Sequence, residues 1–198
     1  MLMKQFNPAA LVGALIAAIL ALLAATARRH DSGSRFVLCT IQGDELNQYL
    51  DDHAAFTSSV SCAYPNPPEE VFEALLDEQF MSWVPFVRGV TYADETRAVG
   101  TQRTLRHWFA AVSERIVVME PNRLLGVSVS GISIPLILRS AGTLYQVFAD
   151  GNGGTRLIWR VGGTPQWIGH LPLWLAAPLI RPAATAQMAK LRVILPPP

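Results

Sequence analysis

Five side chains of this 198-residue chain could give or take a proton at a reacting centre: His107, His170, Glu114, Asp94 and Tyr145. Such a group works as a general acid, base or nucleophile only when a neighbour orients it. None of the familiar spacings surrounds them: no His or Cys stands at metal-ligand distance from another, and no serine sits on a nucleophile elbow. Cys39 and Cys62 are too few for a disulfide framework or a four-cysteine zinc site and read as small buried apolar residues. The sequence therefore assigns no catalytic residue, no metal and no cofactor. Arg103, Arg106 and Glu114 fall on neighbouring predicted strands. Because strand faces alternate, Arg103 and Arg106 point to opposite sides, so at most one of them reaches a cavity. Arg103 and Glu114 are thus candidate polar cavity residues, with an exposed cross-strand ion pair as the plainer expectation.

Binding an apolar molecule asks for less: a concave hydrophobic volume with a few polar groups. Trp83, Phe86, Trp108, Tyr145, Trp159 and Trp167 are the residues expected to line or cap it, and for each the alternative is ordinary core packing. Tyr145 and Trp159 stand out because each carries a polar atom that needs a partner when buried.

The elements that must position these residues follow from the pattern. Ser59 to Tyr64 alternates and reads as a strand with Val60, Cys62 and Tyr64 on one face. Pro65-Asn66-Pro67-Pro68 breaks it. Glu69-Glu70 then open a helix that buries Val71, Phe72, Leu75 and Leu76. A second helical stretch is expected over Glu78 to Phe86. Six strands follow, near Gly89–Ala93, Thr101–Phe109, Val112–Glu120, Leu124–Ser130, Gly142–Phe148 and Thr155–Val161. The last two are joined by the tight turn of Asp150-Gly151-Asn152-Gly153-Gly154, whose glycines precede a strand and carry no Lys-Ser/Thr, unlike a phosphate loop. Ile132–Ser140 reads as an apolar loop. Prolines 172, 178 and 182 interrupt the C-terminal region, so an unbroken helix begins near Pro182, with Ala183, Met188, Leu191 and Ile194 facing the core. Ahead of it, 165–180 carries no charge and reads as a broken covering helix or an interfacial lip.

The N-terminal part differs in kind. From Gln5 to Ala27 no residue is charged, a length that matches the hydrocarbon layer. Residues 1–30 read as a single-pass transmembrane anchor; Lys4 and Ala25-Thr26-Ala27 leave a cleaved signal peptide as the alternative. Arg28, Arg29 and Arg35 lean toward a cytoplasmic domain. Residues 31–57 read as a juxtamembrane linker or spacer. Within it, Phe36–Ile41 could be a strand, and Leu46, Tyr49, Leu50 and His53 share a helix face. Residues 58–198 form one domain. Net charge is +3 over 1–30, −10 over 31–95 and +8 over 97–198, a dipole rather than the basic balance of a nucleic-acid binder, so none is expected as a partner. Overall 51% of residues are hydrophobic and only 16% charged.

The run Ser61-Cys62-Ala63-Tyr64-Pro65-Asn66-Pro67-Pro68-Glu69-Glu70-Val71-Phe72-Glu73-Ala74-Leu75 resembles the opening of the SRPBCC superfamily, the START-like and polyketide cyclase/dehydrase proteins. So do Trp83-Val84-Pro85-Phe86-Val87, Val99-Gly100-Thr101 and Glu114 to Leu124, with their Met119-Glu120-Pro121-Asn122-Arg123 turn. The resemblance covers about residues 58–197. It implies an α+β helix-grip fold: a curved antiparallel β-sheet wrapped around a long C-terminal helix, here preceded by one N-terminal transmembrane helix. It also implies a cavity between sheet and helix that takes lipids, quinones, polyketides or other apolar molecules. No catalytic signature carries over residue by residue. The leading expectation is thus a membrane-tethered, non-catalytic domain that binds a hydrophobic small molecule or lipid, entering between Ile132–Ser140 and Trp167–Ile180. A cyclase or dehydratase is the enzymatic alternative. A regulatory or assembly factor docking a membrane partner through the acidic face of residues 44–78 is the third.

Overall fold

A computed structural model describes residues 36–84, 87–107, 110–133, 138–166, 181–182 and 184–195. The predicted transmembrane anchor, residues 1–30, lies outside them. Among the described residues no helix is long and apolar enough to cross a membrane.

The frame is an eight-stranded antiparallel sheet. Its strands are β1 (Phe36–Val37), β2 (Phe56–Tyr64), β3 (Val87–Tyr92), β4 (Gln102–His107), β5 (Ala111–Glu120), β6 (Leu124–Ile132), β7 (Leu138–Ala149) and β8 (Thr155–Pro165). The spatial order is β2-β8-β7-β6-β5-β4-β3, with β1 added to β6. Every predicted strand from 58 onward is present. The β7–β8 reversal is tied by the Asp150 carboxylate, which accepts from the backbone N–H of Asn152 at 2.8 Å and of Gly154 at 2.9 Å. Two stretches expected to be loop extend strands instead: Ile132 closes β6, and Leu138 to Ser140 open β7.

The inner face of the sheet curls around the helix Pro68–Leu76 and a short C-terminal segment. Val71, Phe72 and Leu75 of the helix pack with Tyr64, Ile116, Leu125, Tyr145, Leu157 and Trp159 of the sheet in the main core. Pro68 in its first turn needs no amide partner, and Glu69 and Glu70 complement the helix dipole. The expected long C-terminal helix is not what the described residues form. Residues 184–189 are helical and pass into a 3-10 turn at Lys190–Val193. Met188 and Leu191 are buried as predicted, Ile194 packs against the same core, and Ala183 lies outside the described residues. Hydrogen bonds fasten this segment to the rest of the domain: the Tyr64 hydroxyl donates to the Met188 carbonyl at 2.5 Å, the Trp83 indole to the Gln187 carbonyl at 3.0 Å, and an Arg192 Nη to the Ala63 carbonyl of β2 at 3.0 Å.

The expected helix over Glu78 to Phe86 is replaced, among its described residues, by consecutive turns through Trp83. Met81 has a left-handed backbone (φ 64°), which no right-handed helix accommodates. The Glu78 carbonyl accepts from the Val90 amide of β3 at 2.9 Å. The free edge of β3 thus claims an oxygen that a helix would have used internally.

Residues 36–53, expected as part of a spacer, are sewn onto the outer face of the sheet. β6 and β7 pair only as far as Ser128 with Gly142. Beyond that point the N-terminal segment joins them: Val37 lies opposite Gly131, the Leu38 amide donates to Ser130, and the Cys39 amide to Arg139. The chain then turns into the short helical stretch Leu46–Gln48, continued as a π turn through Tyr49–His53. Leu46 and Leu50 are buried with Ile41, Tyr49 and Leu144. Leu46 can lie so close because two strand residues beneath it lack side chains. A Cβ on Gly142 would stand 2.5 Å from one Leu46 methyl, and a Cβ on Gly126 2.6 Å from the other. His53 is an exposed helix-face residue, while Cys39 is exposed rather than buried as expected, and Cys62 is partly buried.

Candidate functional site

Between the inner sheet face and the elements that close it lies a cavity of about 190 Å³. Strand alternation decides which side chains reach it. Arg103 and Leu105 of β4 face in; so do Ala141, Thr143 and Tyr145 of β7, and Trp159 and Val161 of β8. Glu114 of β5, Val129 of β6 and Val90 of β3 complete the sheet wall, and Phe80, Met81 and Gln187 close the opposite side. Typical small-molecule sites enclose roughly 300–1,000 Å³, whereas a cavity of about 150 Å³ already holds benzene. The space therefore suits a ring-sized group rather than the whole of a long-chain lipid.

One wall is aromatic. Tyr145 and Trp159 are directly opposed in the β7–β8 register, and their rings stack with centroids 6.2 Å apart and planes 5° from parallel. Phe80 meets the Tyr145 ring edge-on at 5.8 Å and Trp83 at 5.9 Å. The Trp159 indole nitrogen is buried with no hydrogen-bond acceptor among the described residues.

The other wall is charged. Tyr92, Arg103 and Glu114 occupy one cross-strand row through β3, β4 and β5. The Arg103 Nε donates to the Glu114 carboxylate at 2.8 Å, and one Nη reaches the Leu75 carbonyl at 3.4 Å. The sequence favoured an exposed Arg–Glu pair; the structure buries it, with side-chain exposures of 2% and 11%. The reason is the curl of the sheet, which turns the β3–β5 face toward the Pro68–Leu76 helix instead of solvent. Burial works against the Arg103 charge, but the Glu114 carboxylate outweighs it, so the guanidinium is held above its ordinary value. Burial also raises the Tyr145 phenol well above its usual range, the Arg103 charge offsetting this only in part. Tyr145 therefore stays protonated. His107, on the cavity face of β4, is pushed down by burial, with the Glu114 charge opposing.

Of the residues singled out from sequence, Tyr145, Trp159, Arg103 and Glu114 come together around the cavity. Trp83 does not line it; it braces the wall through Phe80 and Gln187. Asp94 is exposed in the β3–β4 connection, and Arg106 lies on the other face of β4. Phe86, Trp108, Trp167 and His170 lie outside the described residues. Among the described residues no three His, Cys, Asp or Glu side chains converge as a metal site needs. The sequence reading missed Leu105, Thr143 and Val161, although each stands two positions from a residue it named, the spacing that shares a strand face. Phe80 and Met81 carried no such signal, because they were assigned to a helix.

A family model described as polyketide cyclase / dehydrase and lipid transport matches residues 54–195. No curated protein matches the sequence. Among solved structures, TTHA0849 from Thermus thermophilus superposes with a TM-score of 0.55 at 14% identity, over 69% of this chain and 94% of that one. Protein CV1439 from Chromobacterium violaceum superposes with a TM-score of 0.53 at 16% identity, over 72% and 98%. Both likenesses establish the fold.

Proposed function

The chain belongs to the polyketide cyclase/dehydrase and lipid transport family, and on that premise we propose that it is a membrane-anchored carrier or sensor of a hydrophobic small molecule. The ligand is lipid-, quinone- or polyketide-like, and a ring-sized part of it sits between the Tyr145–Trp159 stack and the Arg103–Glu114 pair. The observation that carries this reading is the cavity itself: a concave, mainly apolar volume with a few polar groups, Arg103, Glu114, Thr143, Tyr145 and Gln187, in its lining, as small-molecule sites are built. Residues 1–30 hold the domain at the bilayer, where an apolar ligand concentrates. The test is calorimetric titration of the full chain in nanodiscs with 1-naphthol. Saturable binding that Ala141→Phe weakens severalfold, while the variant still melts cooperatively, supports the assignment. Equal binding by both proteins refutes it.

One observation favours an enzymatic second reading. Glu114 is an oriented carboxylate beside a neutral Tyr145 phenol, a base and a hydrogen-bond donor in one cavity. In a cyclase or dehydratase, Glu114 would take a proton from a carbon next to a carbonyl, and the Tyr145 O–H would hold the developing oxyanion. Turnover of a poly-β-ketone substrate that is abolished in a Glu114→Gln protein still melting cooperatively above the assay temperature would establish this; turnover unaffected by that change would eliminate it.

A further inference from the structure

The described domain does not hang from its predicted anchor on a free spacer. Residues 36–53 are fixed to the sheet by β1 pairing, by the Ile41 amide on the Ser128 hydroxyl at 2.9 Å, and by the Tyr49 hydroxyl on Ser140 and Thr164 at 2.9 and 3.1 Å. Arg160 adds contacts to Asn47 at 2.7 Å and to Asp51. Between Arg29, at the end of the uncharged stretch, and Phe36, in the sheet, stand only residues 30–35. Fully extended, these link the two by at most about 25 Å. A compact unit of this size is roughly 40 Å across. The sheet end that carries β1 is thus held nearer the bilayer than the opposite end, which carries the 150–154 hairpin.

The surface at that end has the matching chemistry. Phe36 and Val37, adjacent in sequence, are 40% and 89% exposed. Phe148, at the far end, is exposed to the same degree as Phe36 but has a cation, the Arg156 guanidinium, 5.6 Å from its ring, and Val37 is the more exposed of the β1 pair. Beside β1 the exposed Arg139 is bonded through its carbonyl to the Cys39 amide, and Arg28, Arg29 and Arg35 precede it in the chain. Exposed apolar side chains beside an exposed arginine suit a bilayer interface, where the chains enter the acyl boundary and the cation meets anionic head groups. Leu38, just behind, packs with Val129 and Ala141, which are also cavity wall.

We infer that the β1 corner of the sheet, marked by Phe36, Val37 and Arg139, lies against the surface of an anionic bilayer, with the cavity wall at Val129 and Ala141 next to lipid. The inference rests on residues 1–30 being a membrane anchor. Its test uses the full chain in phosphatidylcholine–phosphatidylglycerol vesicles. The native exposed Cys39 is labelled with an environment-sensitive fluorophore in a Cys62→Ser background, and a control label is placed at Asn152→Cys in a Cys39→Ser, Cys62→Ser background. Nitroxide lipids should quench the Cys39 probe severalfold more than the Asn152 probe, and Val37→Asp should reduce that difference. Equal quenching at the two positions, in protein that floats with the vesicles, overturns the orientation. Protein that fails to float overturns the anchor reading instead.

Discussion

Removing the Glu114 carboxylate should be far costlier than its place on a surface-like strand suggests. The Arg103 side chain is 2% exposed and its Nε lies 2.8 Å from Glu114. Glu114→Leu leaves a guanidinium that cannot shed its charge, with no carboxylate beside it and only neutral partners, the Leu75 carbonyl at 3.4 Å and the Tyr92 and Tyr145 phenols, among the described residues. Breaking a buried pair from one side costs about 3–5 kcal/mol. With an unfolding entropy of about 2.1 cal/mol/K per residue over the roughly 160 residues from Phe36 to Leu195, this lowers Tm by about 9–15 °C. Arg103→Met with Glu114→Leu removes both charges and should recover most of the loss, because a well-packed apolar substitute for a buried pair is often close to neutral. The assay is a double-mutant cycle by circular dichroism melts of the full chain in one detergent. The reasoning fails if Glu114→Leu costs under about 1 kcal/mol, as an exposed pair would, or if the two single losses simply add in the double variant.

Three further outcomes are expected. Gly142→Val drives a side chain into Leu46 and should cost about 1–3 kcal/mol by overpacking; proteolysis within residues 36–53 should quicken, and Leu46→Ala in the same chain should restore part of the urea midpoint. Burial depresses His107, so protonation favours the unfolded chain: its contribution to stability is full above the ordinary histidine value of about 6.5 and declines as the pH falls through it. The difference between wild-type and His107→Gln stability curves should therefore appear only on the acid side, and a difference growing toward alkaline pH would contradict the assignment. Tyr64→Phe removes the donor to the Met188 carbonyl and should cost about 0.5–1.5 kcal/mol, with faster amide exchange over residues 184–189 while the sheet stays protected.

The strands were legible because alternation is a local signal, and the 150–154 turn because its chemistry is contained in five residues. What escaped the sequence depends on distant partners. Leu46 and Leu50 look like one face of a free helix until Gly126 and Gly142 are placed beneath Leu46, some 80 to 100 positions downstream. Phe80 and Trp83 have helical spacing, but the Glu78 carbonyl is taken by Val90 and the segment turns instead of coiling. At the site, the register brought Arg103 to Glu114 as expected. Burial of that pair follows from the curl of the sheet against the Pro68–Leu76 helix, which no strand pattern contains. The long C-terminal helix came with the family resemblance rather than from periodicity, and the short segment ending at Val193 corrects it.

Native mass spectrometry of the full chain released from nanodiscs, with the ejected small molecules identified after extraction, tests the central claim most directly. An apolar adduct at one copy per chain, displaced by Ala141→Phe, is the expected result. A folded wild-type chain that emerges only at its bare mass, alone and after incubation with membrane lipid extract, would contradict a ligand-holding cavity.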